Sequence, residues 1–341
     1  MHEPAPVLVE VTRGAMVESR HRGAAVVADA TGRVVMAWGD DTKPVYARSA
    51  LKPLQALPLV ESGAADAFGL APRELALACG SHHGEEPHVA AVAAWLARMG
   101  LGPADLECGA HPPADPAAAQ ALIRRGEAPS ALHNNCSGKH AGFLATARHC
   151  GEPTRGYIAA DHPVQRRVLA TIEDMTGLDL ARAPRGIDGC GIPVIGIPLS
   201  GLARAMARMG DPRGLPSARV AASCRLLDAM AAEPLMVSGS TGFATALLRA
   251  AGDRVRAKPG AEGVYAAALP GLGLGLALKI EDGAGRAAEV ALMAILQRLG
   301  LIDAAALAAL AGRGRPVLRN VAGAAVGDIR PADALLAPPQ P

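Results

Sequence analysis

VLVEVTRGAMVESRHRGAAVVADATGRVVMAWGD, residues 7–40, is the stretch on which the fold turns. Residues 7–14 alternate apolar with polar, the period of a half-buried strand. MVESRHRGAAVVAD (16–29) continues as strand, and Ala30-Thr31-Gly32-Arg33 reads as a turn into a third strand at Val34. The simplest account is a short antiparallel meander. The far end of the chain answers it. GLGLGLALKIEDGAGRAAEVALMAILQRLG (271–300) reads as a strand, a turn at DGAGR and an amphipathic helix, and 319–330 as a last strand. The glycines of GLGLGL lack the G-x-G-x-x-G spacing of a phosphate loop, so they read as part of a strand.

Between these ends the period changes to that of helices. Leu51, Leu54, Leu57 and Val60 share one helical face. Pro53 falls in the first turn, where proline is tolerated, and Pro58 bends or ends the helix. PRELALACG (72–80) is a short helix, Pro87 opens another, and Gly177 stops a third. A further helix starts near Ser137, another covers 218–232, and PLMVSGSTGFAT (234–245) reads as loop. There is no βαβ alternation and no repeat. The expectation is an α+β fold, a single catalytic unit over 1–341. Its antiparallel sheet comes from the chain ends (about 5–45 and 255–330), with a helical region (about 49–250) between.

Composition narrows the function. The chain has 341 residues, enough to bury a core without staples. With 34 basic and 32 acidic residues, no nucleic-acid or membrane surface is indicated. Only 2% of residues are aromatic, which disfavours a base-stacking platform. No apolar run approaches the roughly 20 residues of a membrane span. The start, MHEPAPVLVEV, is acidic and unlike a secretory signal, so a cytoplasmic location is expected. In that setting the six cysteines point to thiols or a metal rather than disulfides.

Lysine is scarce: Lys43, Lys52, Lys139, Lys258 and Lys279, against 29 arginines. A lysine retained on that background is a candidate for work arginine cannot do, since only the amine can shed its proton in a protein. Ser49 and Lys52 stand at i and i+3, which share a helix face. A desolvated amine there can take the serine proton, the serine–lysine arrangement. CGSHHGE (79–85) is a glycine-flanked loop in which Ser81 is a second nucleophile or a hydrogen-bond donor. The adjacent His82 and His83 tempt a metal reading. HNNCSGKH (133–140) is the densest polar stretch, with Asn134 and Asn135 two of only three asparagines. Cys136 is a soft ligand and His140 follows one turn later. IDGCG (187–191) brings Asp188 and Cys190, and Cys136, Cys190 and Asp188 with one more donor make a zinc-like set. Lys258 stands in the glycine-rich KPGAEG and can pair with Ser81 as Lys52 pairs with Ser49.

SALKPLQALP, CGSHHGEEPH, SALHNNCSGKHAGFL, HPVQ, IDGCGIP, KPGAEGV and LALKIEDG occur in that order. Together they resemble the asparaginase II family of rhizobia and many other bacteria, from about residue 8 to about 325. The resemblance implies a serine β-lactamase- and glutaminase-like fold, a homodimer, and hydrolysis of L-asparagine to L-aspartate and ammonia. It implies two serine–lysine pairs, Ser49 with Lys52 and Ser81 with Lys258. It also implies zinc at Cys136, Lys139 and Cys190 with Asp188 close by. On this reading Ser49 attacks the amide, and Arg48, His140 and Asn134 hold the substrate. Two places depart from the family pattern: Pro259, where glycine is expected, and the 237–245 segment. Two other readings are a glutaminase-like amidohydrolase and a non-catalytic amino-acid- or metal-binding protein on the same scaffold. A penicillin-recognising hydrolase also uses S-x-x-K, but it needs S-D-N and K-T-G, and this chain has neither.

Overall fold

A computed structural model describes residues 4–310 and 312–337. Residues 1–3 of the acidic start lie outside it. The strands among the described residues are β1 (Val7–Arg13), β2 (Met16–Asp29), β3 (Val34–Trp38), β4 (Pro44–Tyr46), β5 (Arg185–Ile187), β6 (Pro193–Pro198), β7 (Arg256–Gly260), β8 (Val264–Leu269), β9 (Leu274–Ile280), β10 (Val317–Arg319) and β11 (Ala325–Pro331). The chain divides into two compact units. One is Met1–Ala50, Ile197–Asp211 and Ala246–Pro341; the other is Leu51–Gly196 and Pro212–Thr245.

The first unit holds the sheet expected from the chain ends. Its order is β10-β11-β1-β2-β9-β8-β7, with β3 also on β2, and its pairings are antiparallel. The long β2 explains how two ends make one sheet. Its polar half, Met16–Arg22, pairs with β1. Its apolar half, Gly23–Asp29, pairs with β9, while Ala25–Ala28 also meet β3. β8, Val264–Leu269, is buried at every residue, the mark of a strand covered on both faces. The helix Leu199–Gly210 packs on β2, β8 and β9, and the helix Gly285–Arg298 packs on β1, β8, β9 and β11.

The first of these helices lies inside the helical region expected over about 49–250, yet it belongs to the sheet unit. The glycines of GLGLGL show why. A Cβ at Gly275 would stand 2.0 Å from the Ala203 carbonyl oxygen and 2.4 Å from the Ala207 nitrogen. Only a bare Cα lets helix and strand approach so closely.

Glu289, on the helix Gly285–Arg298, is half-buried. Burial pushes its carboxyl up to about 7 from the usual 4.5, and Arg313 offsets only part of this. Between those values the folded chain keeps a proton that the unfolded chain has lost. Stability therefore falls as pH rises from 4.5 through 7 and levels off above. Glu289→Gln should remove that loss. The variant should match wild type near pH 4.5 and exceed it above pH 7 by roughly 2 kcal/mol, allowing for solvent screening. Urea unfolding at the two pH values checks this; a parallel pH dependence in the variant would refute it.

The second unit is helical around Pro72–Cys79. That helix packs against Glu86–Arg98, Ser137–His149 and Ser217–Ala232. Gly138 sits against it: a Cβ there would lie 2.5 Å from the Leu77 carbonyl oxygen. The apolar face from Leu51 is broken as expected, into Lys52–Gln55 and Leu57–Glu61, with Pro58 in the first turn of the second piece. The 234–245 stretch departs from the loop reading. Pro234–Ser238 forms a helical turn, Gly239 at φ 71° ends it, and a helix begins at Phe243.

Candidate active site

Lys52 opens the helical turn Lys52–Gln55 and is 1% exposed. Its Nζ donates to the Gly80 carbonyl, to Ser81 Oγ at 3.0 Å and to the Asn135 carbonyl at 3.2 Å. Two of these partners are carbonyl oxygens, which only accept, and Cys136 is a further hydrogen-bond neighbour. When the amine is neutral its two hydrogens can serve the carbonyls, which leaves its lone pair for a hydroxyl or a thiol. Burial, the largest influence, pulls the Lys52 ammonium below its usual range; Cys136 opposes it and the Lys139 charge adds to it. The arrangement suits a base.

The helix Pro72–Cys79 delivers Ser81. It ends at Gly80, whose Cβ would collide with the Met236 carbonyl oxygen at 2.3 Å, so the site needs glycine there. The Ser81 N–H then donates to the Val237 carbonyl at 2.8 Å. Ser240 N donates to Glu85 Oε1 at 2.8 Å. The segment that departs from the family pattern is therefore the backing of the Ser81 loop. The sequence pairing assigned Lys52 to Ser49 and Lys258 to Ser81; in the structure Lys52 itself reaches Ser81.

Cys136, Lys139 and Cys190 meet. Lys139 Nζ donates to Cys190 Sγ at 3.0 Å, and all three are buried. A hydrogen bond from Cys190 is the main influence drawing the Cys136 thiol well below its usual range, against the effect of burial. The same bond and burial push Cys190 up. Burial works against the Lys139 charge, but Cys136 and Cys190 outweigh it and its ammonium is raised. So this pocket draws the Cys136 thiol down and the Cys190 thiol and Lys139 ammonium up, with Asp188 near enough to act on Lys139. Asp188 caps the tight turn before Cys190, its Oδ1 accepting from Gly189 N at 2.7 Å.

Two sulfurs and an amine nitrogen are a donor set that fits zinc once Lys139 gives up its proton. Among the described residues, no group of three or more His, Cys, Asp or Glu could hold a metal ion.

Asn134 ties this pocket together. Its Nδ2 donates to the Cys108 and Gly109 carbonyls at 2.8 and 3.1 Å, and its Oδ1 accepts from Cys136 N at 2.8 Å. Placing Cys136 is a use of this amide that the sequence did not foretell. His82 is buried with both ring nitrogens engaged, Nε2 with Ser137 Oγ at 2.8 Å and Nδ1 accepting from Gly84 N at 3.1 Å. That leaves it no lone pair for a metal. His140 Nδ1 lies 2.8 Å from Tyr157 Oη. Tyr157 was missed, although the scarcity that singles out the lysines applies to it too: it is one of three tyrosines.

Ser49, Arg48 and Lys258 fall in the sheet unit. Arg48 has φ 50°, a left-handed conformation that costs a side-chain-bearing residue about 1–3 kcal/mol. It begins the turn Arg48–Leu51 that carries Ser49, and it lines a cleft of about 540 Å³ with Lys43, Tyr46, Glu262 and Lys279. Glu262, on the same cleft, is the other non-glycine residue with positive φ among those described. Lys258 is fully buried on β7 and its Nζ donates to the Pro259 carbonyl at 2.8 Å. β7 ends the sheet order, where Pro259 is tolerated. A Cβ at Gly260 would lie 2.5 Å from the Ala47 carbonyl oxygen and 3.2 Å from the Ala50 nitrogen. The strand of Lys258 thus runs against the turn of Ser49.

The sequence profile of the family described as L-asparaginase II matches residues 9–331. No match was found among curated proteins. A solved structure described as "Crystal Structure Analysis of Mglu in its tris and glutamate form" is similar at 14% identity and a TM-score of 0.39, covering 87% of this chain. The match spans 64% of that protein's length.

Proposed function

This chain belongs to the L-asparaginase II family, and we propose that it hydrolyses the side-chain amide of L-asparagine to L-aspartate and ammonia by serine–lysine chemistry. One observation carries the serine–lysine chemistry: a buried lysine amine that donates to two carbonyl oxygens and meets a serine hydroxyl, that of Ser81. Binding alone needs no such amine, which weighs against a non-catalytic protein.

In the proposed sequence Ser49 attacks the amide carbon and Lys52 accepts its hydroxyl proton. Ammonia leaves with a proton passed through Ser81 and Lys258, and water then releases the acyl-enzyme. Backbone N–H groups beside Ser49 hold the oxyanion. Arg48 and His140 hold the substrate. The contact between Lys52 and Ser81 supports a second reading, with Ser81 as the nucleophile.

Ammonia release by purified protein should be measured from L-asparagine and L-glutamine, with Ser49→Ala and Ser81→Ala in parallel. Release from asparagine is expected to fall about a thousandfold in Ser49→Ala and less in Ser81→Ala. Mass spectrometry of quenched enzyme should find an acyl adduct in Ser81→Ala and none in Ser49→Ala. The reverse would make Ser81 the nucleophile. Preference for glutamine would give the glutaminase-like alternative; only one methylene separates the two substrates. The proposal includes a cytoplasmic homodimer, for which light scattering should report twice the chain mass of 34.6 kDa.

Zinc is proposed at Cys136, Lys139 and Cys190, with Asp188 beside them. When bound, the metal supplies a Lewis-acidic point that orients the α-amino and carboxylate groups of the substrate. Elemental analysis should find about one zinc per chain, lost in Lys139→Met. Zinc retained in that variant would point to other ligands.

A further inference from the structure

Tyr157 and His140 form a hydrogen-bond chain whose direction can be worked out. The Glu107 N–H donates to Tyr157 Oη at 2.8 Å. Tyr157 Oη in turn lies 2.8 Å from His140 Nδ1. His140 is fully buried, and its Nε2 has no hydrogen-bond partner among the described residues. The ring is held edge-on to Tyr157, with centroids 5.5 Å apart, and packs against Phe143 at 5.9 Å.

Two neutral tautomers are open to His140. If Nδ1 carried the hydrogen, the Tyr157 oxygen would accept two N–H bonds. Its own hydrogen would then have no acceptor, and the Nε2 lone pair would have no donor. If Nε2 carries the hydrogen, Tyr157 donates to Nδ1 and every group of the chain is satisfied except one, the Nε2–H itself. Each buried orphan is costly, so the second tautomer wins.

We infer that Tyr157 is a positioning residue that locks His140 as the Nε2–H tautomer, leaving one buried N–H donor for a carboxylate oxygen of an amino-acid ligand. An oxygen of a bound ligand can accept from that N–H. Lys139 lies close enough for its charge to bear on the ring, so an anionic oxygen suits the place. Only the identity of the ligand rests on the proposed amide hydrolysis.

The test reads the tautomer and the affinity separately, at one fixed pH. Long-range proton–nitrogen NMR of ¹⁵N-histidine-labelled protein, with the His140 signal assigned by its loss in His140→Gln, should show Nε2–H. Tyr157→Phe should mix the tautomers. It should weaken L-aspartate binding by calorimetry, and raise KM for L-asparagine, about tenfold, with kcat within about threefold. His140→Gln keeps an N–H donor that has no tautomer. In that background Tyr157→Phe should change aspartate affinity less than about twofold. An Nδ1–H signal in wild type overturns the inference. So does an equal loss of affinity in both backgrounds, which would mark Tyr157 as merely structural. Wild type that binds no L-aspartate overturns the carboxylate assignment. Wild type that binds L-aspartate but releases no ammonia overturns the proposed reaction and leaves this inference standing.

Discussion

Lys52→Met should lower ammonia release from L-asparagine by about a thousandfold or more, with the chain still folded. Methionine has similar length and no charge, so a pocket this buried can hold it. What disappears is the amine that reaches Ser81 Oγ and the carbonyls of Gly80 and Asn135. The effect on stability is a balance. The two carbonyls lose their donor, a cost of about 1–3 kcal/mol each at most. The burden of burying an amine disappears with it. A small change in melting temperature beside a large loss of turnover is the expected signature. Lys52→Arg separates charge from basicity: a guanidinium keeps the charge but cannot give up a proton. It should be as inactive as methionine. Turnover surviving in either variant would remove Lys52 from the chemistry.

Gly138→Ala should be strongly damaging in the helical unit. Its Cβ would stand 2.5 Å from the Leu77 carbonyl oxygen and 2.8 Å from the carbonyl carbon. Both atoms are backbone, so no side chain can turn away. The helices Pro72–Cys79 and Ser137–His149 would have to separate. A loss of roughly 2–4 kcal/mol is expected, lowering the melting temperature by several degrees. The first of these helices delivers Ser81 and the second carries Lys139 and His140. Even a small separation should therefore cost turnover as well, about a hundredfold. Gly142→Ala, one turn later, is the control. Its Cβ would meet Leu59 Cδ2 at 3.4 Å, Ala78 Cβ at 3.7 Å and Trp95 at 3.7 Å, all side-chain atoms. Better helix propensity should make it neutral or stabilising by up to about 1 kcal/mol. Equal behaviour of the two variants would show that the close approach at Leu77 does not govern the packing.

The site was legible in the sequence as a set of residues more than as a set of contacts. Scarcity picked out Lys52, Lys139 and Lys258, because a lysine-poor chain makes each retained amine informative. Glycine-flanked motifs picked out Ser81, Cys136 and Cys190. Residue chemistry named Cys136, Cys190 and Asp188 with one more donor, and the family resemblance added Lys139; in the structure Lys139 Nζ lies 3.0 Å from Cys190 Sγ. The partner of Ser81 did not follow in the same way. The i, i+3 rule sees along one helix, whereas Lys52 and Ser81 are 29 positions apart and meet through packing. Tyr157 and the Val237 carbonyl escaped for the same reason: each acts through a hydrogen bond between segments distant in the chain.

Alternation at both chain ends, the helical period between them and the glycines of GLGLGL determined, before any coordinates, that this is an α+β chain with an antiparallel sheet built from its termini. Those signals are local, since strand and helix periods are written in neighbouring residues. Only the tertiary structure decided that the helix Leu199–Gly210 joins the sheet, that Lys52 turns to Ser81, and that one nitrogen of His140 is left without a partner. Each of these depends on close approach between segments that no local period records. A bare Cα at Gly275 or Gly138, and carbonyls closing two sides of an amine, have meaning only once the chain is folded.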